Sequence, residues 1–127
     1  MLEIYFNVDG TPRPWARPRF NPRTGAWYAD TAVKEYTEKV RLAATEAMHG
    51  HQAARVPVIV TLHFYRKRQV DTRAFGDIDN LTKTILDAMN GIVYDDDARV
   101  VSIAVRKIAS DKEHCSIAVL NADFDSN

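Results

Sequence analysis

The chain has 127 residues, 46 % hydrophobic and 27 % charged, the size and balance of one globular domain with one core. Lysine plus arginine and aspartate plus glutamate both number 17, so net charge gives no hint of a nucleic-acid partner. No apolar run approaches the roughly 20 residues of a membrane helix, and a single cysteine, Cys115, excludes an internal disulfide. The opening Met1-Leu2-Glu3-Ile4 has no basic start followed by an apolar run, so no secretory leader is expected and a reducing cytoplasm is.

Leu2, Ile4, Phe6 and Val8 alternate with polar positions, the period of a half-buried strand, and Asp9-Gly10 ends it. Prolines 12, 14, 18 and 22 then disfavour helix and central strand. The segment from Thr11 to Thr24 carries Arg13, Arg17, Arg19 and Arg23 and no acid, interleaved with Trp15 and Phe20 and followed by Trp27 and Tyr28. Such a loop either stacks on unpaired bases and sugar–phosphate or anchors itself to the core by its aromatics. The turn chemistry of Asn21 to Gly25 predicts a small hairpin between Phe20 and Trp27–Ala29.

Asp30 or Thr31 is expected to cap a helix running to Met48, with Val33, Tyr36, Val40, Ala43, Ala44 and Ala47 at helical spacing. His49-Gly50-His51 reads as a solvated turn, since no third ligand lies nearby. Val56 to Tyr65 is the clearest strand. Arg66, Lys67, Arg68 and Arg73 make a second basic segment. Past residue 100, Val101, Ile103 and Val105 predict a strand that should pair with Cys115, Ile117 and Val119 as an antiparallel hairpin. The expected fold is α+β: a single domain over residues 1–127, with two helices on one face of a mixed sheet.

The stretch from Gly76 to Val101 carries the chemistry. Asp77 and Asp79 precede a helical pattern through Ile78, Leu81, Ile85, Leu86 and Met89, stopped at Asn90-Gly91. Asp95, Asp96 and Asp97 follow. The helix from Asp79 to Asn90 advances about 16 Å, and the return to Asp97 can cover about 20 Å, enough to bring the two acidic sets together. Gathered carboxylates need a counter-charge, and Mg²⁺ supplies one through oxygen ligands. Lys83, one helical turn after Asp79, can face the same site and meet a phosphate. Taken singly, the first set is also a helix cap, the second an exposed turn and Lys83 a solvated side chain. An EF-hand is excluded by Leu81 and Arg99, which break the alternation of ligands.

Gly76-Asp77-Ile78-Asp79-Asn80-Leu81, Lys83, Leu86-Asp87-Ala88 and Tyr94-Asp95-Asp96-Asp97-Ala98 resemble the RusA-type Holliday junction resolvases of bacteria and their phages. Thr11-Pro12-Arg13-Pro14 and Arg17-Pro18-Arg19 resemble the family's proline- and arginine-rich opening. The resemblance implies a homodimeric, Mg²⁺-dependent endonuclease, with Mn²⁺ able to substitute, acting on four-way junction DNA in recombination and repair. It places the catalytic and metal-holding carboxylates at Asp77, Asp79, Asp96 and Asp97 and the catalytic lysine at Lys83. The register of the second pair rests on Ala98 following Asp97, which leaves Asp95 secondary, and Arg99 stands where glutamine is common. Arg13, Arg17, Arg19, Arg66, Lys67, Arg68 and Arg73 are the expected DNA contacts. Two other classes are a branched-DNA-binding module without catalysis and a metal-dependent phosphohydrolase on small phosphates.

Overall fold

Alternation in the first residues does produce a strand, β1 (Glu3–Asp9), with Ile4 and Val8 buried. The computed structural model describes residues 1–67 and 76–122. After β1 come a short ribbon, β2 (Arg19–Asn21) and β3 (Ala26–Tyr28), then helix α1 (Thr31–Met48), β4 (Val58–Arg66), α2 (Ile78–Met89), β5 (Val100–Ala109) and β6 (His114–Asn121). A single 3₁₀ turn, Asp97–Arg99, leads into β5.

The main sheet has the order β1-β6-β4-β5, and the ribbon β2-β3 stands apart from it. β4 and β5 are parallel, while β6 runs antiparallel to both β4 and β1. The expected hairpin of the last two strands is therefore corrected: β4 lies between them. The β4–α2–β5 connection is a parallel crossover that places β5 on the sheet's outer edge. The chain then passes over the end of β4, where the Ser110 amide donates to the Arg66 carbonyl at 2.8 Å, and returns on the other side.

Side chains on one face of the sheet form the core. Val60 lies opposite Val119, Leu62 opposite Ile117 and Phe64 opposite Cys115, with Ile4, Phe6 and Val8 continuing the rows on β1. α1 adds Tyr36, Val40, Ala44 and Met48, and α2 adds Leu81, Ile85, Ala88 and Met89. Both helices pack on this face, as expected. Burial contributes roughly 1.5–3 kcal/mol for each of Leu81, Ile85 and Met89. Burial also pushes the Cys115 thiol up to about 12, leaving it an unreactive core residue. The helix layer covers β5 only in part: Val100 and Val105 pack against the core, while Ile103, opposite the buried Val60, is 41 % exposed, and Val101, the extra residue of a bulge against β4, is 50 % exposed.

Asp30 caps α1, its side chain accepting from the amides of Ala32 and Val33. α2 is held at its far end instead. The last four carbonyls of a helix lack intrahelical donors, and here each finds one. Leu86 O accepts from the Tyr94 hydroxyl at 2.7 Å, and Asp87 O from the Asn90 amide. Ala88 O accepts from Arg41 of α1 at 3.0 Å, and Met89 O from the amides of Ile92 and Val93. Tyr94 is fully buried, and burial, with the charges of Asp97, Asp87 and Asp96, raises its pKa and keeps it a donor. Tyr94→Phe should cost about 1–3 kcal/mol by orphaning the Leu86 carbonyl, read as a lower urea midpoint with unchanged slope.

Candidate nucleic-acid interface and carboxylate sites

Asp77 is the N-cap residue of α2 by backbone position, yet its carboxylate makes no capping hydrogen bond and is exposed. Asp79 lies in the first turn, also exposed, with Oδ1 accepting from the Asn80 amide at 2.9 Å. Both carboxylates sit where the helix dipole favours negative charge. Gly76, just before them, adopts φ +99°, and a Cβ there would come within 3.0 Å of the Pro14 ring. Its carbonyl accepts from Lys107 of β5 at 2.9 Å.

The second acidic set follows the turn after α2. The chain turns tightly after α2, with the Gly91 amide donating to Tyr94 O at 2.8 Å. It then runs beside Ala54, which exchanges hydrogen bonds with Val93 O and the Asp95 amide. Asp96 and Asp97 flank Tyr94, whose hydroxyl meets Leu86, seven residues and about 10 Å along α2 from Asp79. Among the described residues no three His, Cys, Asp or Glu side chains gather closely enough to hold a metal ion. The donor chemistry nevertheless suits a hard cation: Asp77, Asp79 and Asp96 are exposed and Asp97 half-buried, all with oxygen ligands. Mg²⁺ asks for only one or two protein carboxylates and keeps its waters.

Asp95 is set apart by its partner. Arg99 grips it fork on fork, Nε to Oδ1 at 2.8 Å and Nη2 to Oδ2 at 3.0 Å. That grip holds the Asp95 carboxyl below the usual range. The pairing was available in the sequence as an i, i+4 spacing.

Lys83 lies on the open side of α2. Its ammonium is 3.2 Å from Asp87 and 5.3 Å from the centre of the Trp15 ring. The Trp15 amide donates to Asn80 O at 2.9 Å. Trp15 thus fastens the proline-rich segment to the first turn of α2 and lies against the lysine. Sequence reasoning left Trp15 between stacking and anchoring; the structure makes it an anchor, and only the fold could decide that.

The same segment is held at its other end by Glu113. Thr11 Oγ1 donates to Glu113 Oε1 at 3.0 Å, and Arg66 Nε donates to Oε2 at 2.9 Å. Of the expected DNA contacts, Arg13, Arg17, Arg19 and Lys67 are exposed. Arg66 is mostly covered and engaged with Glu113. Arg68 and Arg73 lie outside the described residues.

A model of the family endodeoxyribonuclease RusA matches residues 9–120, most of the chain and all of both acidic sets. The chain belongs to the RusA endodeoxyribonuclease family. Its members are in general divalent-metal-dependent nucleases acting on junction DNA. A similar protein of Bacillus subtilis strain 168, the uncharacterized protein YqaN, is 26 % identical over 134 residues, covering 91 % of this chain and 94 % of its own. No helix among the described residues of this RusA-family chain is long and apolar enough to cross a membrane.

The Glu113 junction has a pH signature. Its hydrogen bond from Arg66, with those from Thr11 and Lys67, holds the Glu113 carboxyl below the usual glutamate range. A depressed folded-state pKa stabilises above the unfolded value, and the increment is lost as pH falls through the folded one. Glu113→Gln should therefore cost about 1 kcal/mol near neutral pH. The gap from wild type should narrow as pH falls below the ordinary glutamate range, measured by urea unfolding at neutral and acid pH.

Proposed function

We propose that this RusA-family chain is a structure-selective endonuclease that resolves four-way DNA junctions in recombination and repair, using Mg²⁺ or Mn²⁺. The observation that carries the reading is the family match, which spans both acidic sets, Lys83 and the arginine-rich opening. Asp77, Asp79, Asp96 and Asp97 would hold the metal. When bound, it would lower the pKa of a water and stabilise the charge developing on the scissile phosphate. The chain's own residues do the rest. Exposed Arg13, Arg17 and Arg19 hold the phosphate backbone and set its register. Lys83, pre-placed by Asp87 and Trp15, meets the phosphate oxygens. The carboxylates lie on open surface rather than in an enclosed pocket, which favours a polymer over a small phosphate ester.

A resolvase must cut two opposed strands, and a two-fold pair of chains supplies two sites related by the junction's own symmetry. One feature supports that pairing: β5, at the edge of the sheet among the described residues, exposes Val101 and Ile103.

The central test is Asp77→Asn on a synthetic four-way junction. Cleavage in Mg²⁺ should vanish while junction binding in EDTA stays at the wild-type level; wild-type cleavage by the variant would refute the role. Sharing of sites between chains is tested by mixing Asp79→Asn with Asp97→Asn protein. If sites are shared, the mixed dimer regains one intact centre and nicks one strand. If each chain holds its own centre, the mixture stays as inactive as either variant.

A further inference from the structure

Apart from Arg19, the ribbon β2-β3 has no part in the proposed chemistry. It is not joined to the main sheet. Phe20 and Trp27 are directly opposite in its register, so both side chains leave the same face. Their ring centres are 5.2 Å apart, with planes inclined at 52°. Yet they are not core: Phe20 is 49 % exposed and Trp27 70 %. Tyr28, on the opposite face across from Arg19, is 49 % exposed as well. A two-stranded ribbon is barely stable in water without support, and one that holds large aromatics out of the core is placed for a partner.

The surrounding charge narrows the partner. From Thr11 to Ala29 there are four arginines, 13, 17, 19 and 23, and no acid. All four are exposed, and among the described residues none forms an ion pair. A protein surface of mixed charge gains little from such a patch, whereas a phosphate backbone does. The aromatic pair cannot read a backbone. It offers π-faces, and only unpaired bases offer π-faces in return, because those of a duplex are already stacked on each other.

We propose that the β2-β3 ribbon is a stacking platform for unpaired bases, with Phe20 and Trp27 receiving the bases and Arg19 and Arg23 the adjoining phosphates. The inference deepens the junction reading and rests on it. Phosphate contacts position a protein but are alike on a duplex and on a junction. A platform that recognises opened bases would distinguish the branch point from the arms. It lies outside the carboxylate sites, so binding selectivity and cutting are separable.

The experiment is equilibrium binding of the full chain in EDTA, where nothing is cut, to a labelled four-way junction, a labelled oligo(dT) and a labelled linear duplex. Trp27→Ala should weaken junction and oligo(dT) binding by about five- to a hundredfold, the range of one lost base–aromatic stack. Duplex binding should stay within about twofold, and Trp27→Phe should restore most of the loss. Unchanged thermal unfolding will show that the ribbon variant is folded. The proposal is overturned if oligo(dT) binding does not change, or if duplex binding falls in parallel. It is also overturned if the variant only shifts the sedimenting species, for then the aromatics join two copies of the chain. Loss of cleavage by Asp77→Asn is a separate result: a protein that binds branches through the ribbon and never cuts would sink the nuclease reading and leave this one standing.

Discussion

The burial of one side of α2 decides where everything else can be. Leu81, Ile85, Ala88 and Met89 are wholly covered by the sheet and α1, and a helix so held has no freedom to rotate. The remaining side must then face out, and it carries Asp79, Lys83 and Asp87 at successive i, i+4 positions. Capping completes the constraint. Five donors, from Tyr94, Asn90, Arg41 and the amides of Ile92 and Val93, fix the far end, while the near end keeps Asp77 unused by any cap.

The helix and strand periods were legible because they are consequences of burial. Asp30, the span to Met48, the alternation of β4 and the stop at Asn90-Gly91 all followed from local rules. Pairing was not legible. The last two strands look like a hairpin because they are close in sequence, and their order reverses only because β4–α2–β5 is a crossover. The two acidic sets were legible in the sequence as sets, and the family resemblance assigned them a role; the path between them was not, because it depends on the bonds of residues 91 to 95 to the distant Ala54 and to one another.

Trp15 illustrates the same division. Its composition context, a tryptophan among prolines and arginines, suits base stacking and anchoring equally. The structure separates the aromatics of the opening segment into two kinds. Trp15 is bonded to α2 through its amide and rests beside Lys83; Phe20 and Trp27 stand on a ribbon outside the core. The segment that carries the ribbon is thus joined to the first turn of α2, through Pro14 beside Gly76 and Trp15 against Asn80.

Zero net charge is the remaining puzzle for a chain of a DNA-acting family, and the ion pairs resolve it. Arg66 with Glu113, Lys83 with Asp87 and Arg99 with Asp95 are internal accounts that cancel locally. Outside those pairs, two stretches each carry charge of one sign: Arg13, Arg17, Arg19 and Arg23 on the opening segment, and Asp77, Asp79, Asp96 and Asp97 on α2 and the turn after it. Such a surface attracts phosphates at its basic segment and repels them at its acidic one, by amounts that fall off within about 10 Å at ordinary ionic strength. A backbone held by the arginines would therefore be kept off the carboxylates until a cation neutralised them. The neutral total is thus compatible with nucleic-acid binding.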